Sequence, residues 1–227
     1  MDKKEPKDHS ELEQFMYPGR LERLDRVLNE RTDALTVVLD GVQNYHNISA
    51  VIRSADAFGL RRVHLIGSRF TFSPAITQGT ERWMDIRKHE SPEHALAHLQ
   101  AEGYTLVVTA PQSDAPRDGI QSLPVFELPF GKRLAVVFGN ERDGVSPLLY
   151  NAATMHAFIP MVGFVESLNI SVACAVTLFC SMISGARNER QPPKLEPQER
   201  DGLRSEWLKQ GLRAGNQILE EIERRKR

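Results

Sequence analysis

The chain has 227 residues, of which 41% are hydrophobic, and a formal net charge of −1. This length fits one α/β domain with terminal additions, or at most two small domains. The near-zero charge excludes a polybasic protein, so any binding to nucleic acid must come from local patches. The charged start of the sequence has no apolar signal-peptide segment, and the longest apolar run, around residues 172–180, is too short to span a bilayer. We therefore expect a cytoplasmic protein with no membrane partner.

The two cysteines, Cys174 and Cys180, lie six residues apart in an apolar segment and form no C-x-x-C pair. Such cysteines are typical of buried, reduced thiols in a cytosolic protein. We expect no metal site.

The N-terminal region, residues 1–31, is predicted to contain a polar leader and a short helix from residue 19 to about residue 30. Arg20, Arg23 and Arg26 repeat at a spacing of three, which places them close together along the helix surface.

The central region, residues 32–185, alternates apolar strands with helices. The apolar runs predict strands at 35–40, 62–67, 104–110, 134–139 and 155–160. Helices are predicted at 46–59, between Ser91 and Gly103, and, as a buried helix, at 170–183.

The C-terminal region, residues 186–227, begins with a linker, because three prolines between residues 191 and 197 are incompatible with a helix interior. A charged amphipathic helix, or a pair of them, is predicted to follow.

Strands that are apolar throughout and alternate with helices are typical of an α/β domain with a mostly parallel sheet covered on both faces. Ligands of such sheets bind at the carboxyl ends of the strands. The functional residues are therefore expected in the loops that follow the strands.

One of these loops, residues 138–146 (FGNERDGVS), has the G-x-x-x-x-G spacing of a phosphate loop between Gly139 and Gly144. Val145 occupies the position where that motif needs lysine, so we reject ATP binding. G-x-G-x-x-G is absent as well, which argues against a dinucleotide-binding oxidoreductase. On its own, the loop could simply be a tight turn before the next helix.

The remaining polar candidates each have a structural alternative. Asn47 could cap its helix, and Arg53 could pair with Asp56 on the surface. Ser167 and Asn169 could likewise cap the apolar helix that follows them.

The combination of segments is more specific than any one of them. Asn47 and Arg53 (N-x-x-x-x-x-R) are followed by F-G-N-E-x-x-G-V-S and then by I-P-M…S-L-N-x-S-x-A from residue 159. In this order they resemble the three motifs of the SPOUT methyltransferases, and most closely the TrmH-type 2′-O-methyltransferases. The resemblance extends from Arg20 to about Leu178.

The resemblance implies an α/β fold with a C-terminal trefoil knot, short helical extensions at both ends, and a homodimer with active sites at the subunit interface. It implies S-adenosylmethionine as the cofactor, in a pocket formed by Thr109, Gly139, Ile159, Met161, Ser167 and Leu168. It assigns the catalytic site to Arg53, Asn47, Glu141, Ser167 and Asn169, and contacts with RNA to Arg20 and Arg23.

The substrate implied by the resemblance is the ribose 2′-hydroxyl of a guanosine in the tRNA D-loop. Ribosomal RNA is the alternative, although its methyltransferases commonly carry a separate N-terminal RNA-binding domain, for which residues 1–31 are too short. A non-catalytic RNA-binding protein on the same fold is a further alternative, but the presence of all five catalytic candidates argues against it.

Overall fold

The structure is a computed structural model that describes residues 9–67, 79–111, 120–187 and 193–225. The chain divides into two compact units. The first unit includes residues 9–31 together with 194–225, so both ends of the chain belong to it. The second unit includes the described residues between 32 and 193.

The described residues form seven α-helices and seven strands, named here in chain order. The helices are α1 (Pro18–Asn29), α2 (Tyr45–Ala57), α3 (Pro92–Ala101), α4 (Pro147–Ala152), α5 (Ile170–Arg187), α6 (Pro197–Gly211) and α7 (Gly215–Arg225). The strands are β1 (Leu35–Asp40), β2 (Arg62–Ile66), β3 (Asp85–His89), β4 (Thr105–Thr109), β5 (Gln121–Pro124), β6 (Leu134–Gly139) and β7 (Met155–Phe158). Short 3-10 turns lie at Ser10–Phe15, Thr80–Trp83 and Val125–Glu127.

The second unit is built on one sheet with the strand order β3-β2-β1-β6-β4-β7-β5. Every pair of neighbouring strands is parallel. One sheet face packs mainly against α2 and α5, and the other against α3 and α4. The predicted parallel sheet with helices on both faces is therefore confirmed.

All five predicted strands are present, but two further strands, β3 and β5, were not predicted. They form the two edges of the sheet. Their sequences, DIRKH and QSLP, have no apolar run, because an edge strand is partly open to water and needs no continuous hydrophobic sequence.

The predicted buried helix at 170–183 forms part of α5, but only one side of this helix is buried. Cys174 and Leu178 lie in the core, whereas Val172, Phe179 and Met182 are 47%, 47% and 51% exposed. The prediction of complete burial was wrong, because the uniformly apolar sequence gives no sign of which side faces the sheet.

The first unit is a small helical assembly in which α1 packs against α6. The Arg204 guanidinium binds both the Asp25 carboxylate, at 2.6 Å, and the Glu13 carboxylate, at 2.5 Å. The Arg31 guanidinium lies over the ring of Trp207, 5.1 Å from its centroid. These contacts tie the N-terminal segment, residues 13–31, to α6.

Candidate functional site

The three motif segments converge at one edge of the sheet. Strands β1, β6, β4 and β7 are consecutive in the strand order, and the carboxyl ends of parallel strands lie at the same edge. The motif segments follow β1, β6 and β7, so this topology brings them side by side, where ligands of such sheets bind.

A chain of hydrogen bonds joins the three segments. The Asn47 amide Nδ2 donates to Glu141 Oε1 at 2.5 Å, and Asn169 Nδ2 donates to Asn47 Oδ1 at 3.1 Å. Asn169 Oδ1 in turn accepts from the backbone N–H of Ser171 at 2.9 Å and from its hydroxyl at 2.6 Å. Because a carboxylate only accepts hydrogen bonds, Glu141 fixes which side of the Asn47 amide faces it. Three of the predicted catalytic residues thus form one network.

Of the helix caps suggested by the sequence, the structure confirms Asn169 but not Asn47. The cap of α2 is Asn44, whose Oδ1 accepts from the backbone N–H of His46 at 3.0 Å. Asn47 lies inside the helix and is buried, so its interpretation as a cap was wrong. At the start of α5, Asn169 caps the helix through Ser171. Ser167 lies two residues farther from the helix and lines a cavity instead.

The segment after β6 is a tight turn. Asn140 Oδ1 accepts from the backbone N–H of Arg142 at 2.9 Å and of Asp143 at 2.7 Å, and the backbone groups of Asn140 and Gly144 exchange two hydrogen bonds of 3.1 Å. A Cβ atom at Gly139 would lie 2.0 Å from the carbonyl carbon of Gly144. Glycine is therefore required at residue 139 so that the turn can fold back on the strand end.

A cavity of about 300 Å³ lies beside this turn. All six residues predicted to bind the cofactor line it: Thr109, Gly139, Ile159, Met161, Ser167 and Leu168. Glu141 and Ser167 also line it, whereas Asn47 reaches it only through its hydrogen bond to Glu141.

The cavity lining is mainly apolar, with the neutral polar side chains of Thr109, Asn140 and Ser167 and two acidic ones, Glu141 and Glu166. No lysine, arginine or histidine is among the described residues that line it. A phosphate-bearing ligand would face two carboxylates and no cation, so the lining favours a ligand that carries positive charge.

Arg53, the predicted catalytic arginine, lies on α2 with an exposed side chain and does not line the cavity of its own chain. It follows Asn47 by six residues, which rotates it by roughly 240° around the helix axis. Asn47 and Arg53 therefore cannot face the same side of α2.

Arg20 and Arg23, the predicted RNA-binding residues, lie on α1 in the first unit, and both are exposed. Both are accessible to a large, negatively charged partner.

Several residues that line the cavity were not predicted from the sequence. Ala110 and Pro111 directly follow β4, and their position at a strand end could have identified them. Glu166 precedes Ser167 and was overlooked because no single motif position requires a carboxylate there. Val125 follows strand β5, which was not predicted, so no sequence pattern pointed to this residue.

Within the described part of the chain, neither a metal-binding group of side chains nor a membrane-spanning helix is present. No group of three or more histidine, cysteine, aspartate or glutamate side chains there could hold a metal ion. None of the described helices is both long and apolar enough to cross a membrane.

Comparison with known proteins agrees with this geometry. The SpoU rRNA methylase family matches residues 34–179. A tRNA (guanosine(18)-2′-O)-methyltransferase of Borreliella burgdorferi is 31% identical over 201 residues, which cover 88% of each protein. The crystal structure of the A. aeolicus TrmH/SpoU tRNA modifying enzyme matches with a TM-score of 0.73 and 30% identity over 88% of this chain and 98% of that one.

A third similar protein has been solved with a ligand. The SpoU methyltransferase AviRb of Streptomyces viridochromogenes, in complex with the cofactor AdoMet, matches with a TM-score of 0.60 and 26% identity over 73% of this chain and 65% of that one. The family match covers more than half of the chain and includes all three motif segments. The chain belongs to the SpoU rRNA methylase family.

Proposed function

We propose that this protein transfers a methyl group from S-adenosylmethionine to the ribose 2′-hydroxyl of a guanosine in the D-loop of tRNA. The observation that carries the proposal is the network of Glu141, Asn47 and Asn169, which joins the three motif segments beside the cavity. The Borreliella burgdorferi relative bears the name of this activity and aligns over 88% of both chains. This substrate also implies that the protein works in the cytoplasm.

The cavity fits the proposed cofactor, which supplies an electrophilic methyl group on a positively charged sulfur. Ile159, Met161 and Leu168 offer an apolar slot for the adenine, and the carboxylates of Glu141 and Glu166 suit a cationic ligand. The shape of the cavity also depends on the absence of a side chain at Gly139.

The remaining residues of the site are proposed to position the reactants and to stabilise the charge that develops during transfer. Asn47, Glu141 and Asn169 hold the three loops in register, which positions the cofactor for in-line attack by the ribose oxygen. Arg53 stays protonated near neutral pH, so it is a poor general base. Its proposed role is to stabilise the negative charge that develops on the ribose oxygen and to orient the ribose or phosphate.

The catalytic arginine lies outside the cavity of its own chain, which supports a homodimer with Arg53 near the partner's site. An apolar surface is available for this contact, because Val172, Phe179 and Met182 are about half exposed and share one side of α5. The loop before α5 adds Phe164, which is fully exposed. A second copy of the chain is the proposed occupant of this surface.

A charged residue in the middle of this surface should separate the subunits. We expect the wild-type protein to sediment at twice its chain mass of 25.6 kDa and Met182→Glu to shift the equilibrium towards the monomer, because an unpaired carboxylate would be buried at the contact. Leu148→Glu is the matched control, since Leu148 is an exposed apolar residue on α4, at the opposite face of the sheet. A Met182→Glu protein that stays as dimeric as the control would refute this interface.

The trefoil knot is a further part of the proposal. Strands β6 and β7 come late in the chain, yet β6 lies between β1 and β4, and β7 lies between β4 and β5. A chain whose late strands are inserted between earlier ones follows the kind of path that a knot requires. Pulling the chain by its two ends should leave a contour shorter than the fully extended sequence, and a full-length contour would exclude the knot.

Arg20 and Arg23 are proposed to contact the phosphate backbone of tRNA. We expect Arg23→Ala to weaken tRNA binding at all sequences alike, and to reduce the slope of log K against log salt by about 0.7 to 0.9. Lys88→Ala, at an exposed cation on an edge strand of the other unit, serves as the control. An unchanged salt slope for Arg23→Ala would remove this residue from the interface.

The decisive test is incubation of the purified protein with S-adenosylmethionine carrying a radiolabelled methyl group and with unmodified tRNA transcripts, followed by nuclease mapping. Label in a D-loop 2′-O-methylguanosine supports the proposal. Label on ribosomal RNA instead would keep the reaction and overturn the substrate. Absence of transfer to any RNA would leave the non-catalytic alternative.

A further inference from the structure

We propose that Glu166 makes the cavity discriminate between the positively charged cofactor and the neutral thioether that remains after methyl transfer. The inference rests on the proposed function, because it assumes that S-adenosylmethionine occupies this cavity. It assigns to Glu166 the role of a specificity-determining residue that favours binding of fresh cofactor over retention of product.

The Glu166 carboxylate lies outside the hydrogen-bond network of the site. It makes no hydrogen bond or ion pair with the residues that the structure describes, whereas Glu141 accepts a hydrogen bond from Asn47. Glu166 lines the cavity from the loop between β7 and α5. Nothing in the described fold requires its charge, so that charge is available to a ligand.

No basic side chain among the described residues of the lining neutralises the negative charge of the cavity. Glu141 and Glu166 both line it. Both side chains are exposed, so water partly screens the negative potential that the two carboxylates create, and their attraction for a cationic ligand is modest.

Methyl transfer changes the charge of the molecule in the cavity. An O–CH₃ bond forms on the ribose and the S–CH₃ bond breaks, with its electron pair returning to sulfur, while the hydroxyl proton passes to solvent water. The cofactor thereby changes from a net charge of +1 to zero. The attraction exerted by the carboxylates therefore acts before transfer and disappears afterwards, which helps the product to leave.

The test measures binding by calorimetry for three probes: S-adenosylmethionine, S-adenosylhomocysteine and sinefungin, in which a protonated amine replaces the methylated sulfur. For Glu166→Gln we expect the first and third probes to bind about two- to fivefold more weakly, as for a partly solvated ion pair. S-adenosylhomocysteine should bind as it does to the wild type. The difference should shrink at high salt, because salt screens exposed charges.

The matched control is Asp143→Asn, which removes a carboxylate from the turn after β6 that is not part of the cavity lining. It should leave the ratio of the three dissociation constants unchanged. Equal weakening of all three probes by Glu166→Gln would overturn the inference, because it would place Glu166 at the amino group that every probe carries. Unchanged binding of all three would overturn it too. If the wild-type protein binds no S-adenosylmethionine, the proposed function itself fails, and that result is distinct from an unchanged ratio.

Discussion

A methyl group added at Gly139 is expected to abolish cofactor binding. The Cβ atom of Gly139→Ala would lie 2.0 Å from the carbonyl carbon of Gly144 and 2.3 Å from both the oxygen of Gly144 and the nitrogen of Val145. All three contacts are with backbone atoms, which cannot move aside as a side chain can. The turn must therefore open.

Opening the turn affects the cavity directly. Gly139, Asn140, Glu141, Gly144 and Val145 all line it, so the same movement displaces much of one wall. The two backbone hydrogen bonds between Asn140 and Gly144 are lost with the turn. We expect a loss of stability of about 1–3 kcal/mol or more, as for other overpacked sites.

Calorimetry with S-adenosylmethionine and a thermal unfolding curve measure these two effects separately. Gly163→Ala is the matched control, because Gly163 lies in the loop after β7 and a Cβ atom there would meet no atom within 4 Å. The control should bind normally. If Gly139→Ala binds the cofactor within twofold of the wild type, the turn after β6 is not part of the cofactor-binding site.

Those parts of the fold could be predicted in which burial on both faces of the sheet requires a continuous apolar sequence. Strands β1 and β6 are continuous apolar runs because they lie in the middle of the sheet, buried on both faces. The edge strands β3 and β5 are polar and short, and periodicity does not separate such segments from loops. Side-chain patterns therefore revealed the centre of the sheet but not its edges.

The lining of the cavity was predicted more completely than the hydrogen-bond network beside it. Residues such as Thr109 and Leu168 line the cavity because they follow strands, and the strand order places those strand ends together. The pairing of Asn47 with Glu141 joins residues 94 positions apart, and no local rule predicts which polar side chains will meet. Asn47 could consequently be taken for a helix cap, a role that belongs to Asn44.

Replacement of Arg53 should lower the rate of methyl transfer while leaving cofactor binding intact. Arg53 is exposed and lies outside the cavity lining, so Arg53→Ala should bind S-adenosylmethionine within twofold of the wild type. The loss in kcat should be about 10²–10³, the usual effect of removing one donor to a developing oxyanion. Single-turnover transfer to tRNA gives the rate, and calorimetry gives the affinity.

The lysine variant separates charge from shape. Lysine keeps a positive charge but lacks the planar fork of donors that guanidinium offers. If Arg53 orients the ribose or phosphate through that fork, Arg53→Lys should recover little activity. A lysine variant with a wild-type rate and pH–rate profile would show that charge alone suffices.

Mixed dimers decide in which subunit Arg53 acts. Arg53→Ala leaves the cavity intact and Gly139→Ala leaves the arginine intact, so each variant lacks a different half of the site. If Arg53 acts across the interface, a dimer with one copy of each variant contains one complete site, and a random mixture should recover about a quarter of wild-type activity. If Arg53 acts within its own subunit, neither site is complete and the mixture stays inactive. Recovery would therefore establish both the homodimer and the composite active site, whereas an inactive mixture of confirmed mixed dimers would place Arg53 and the cavity in one subunit.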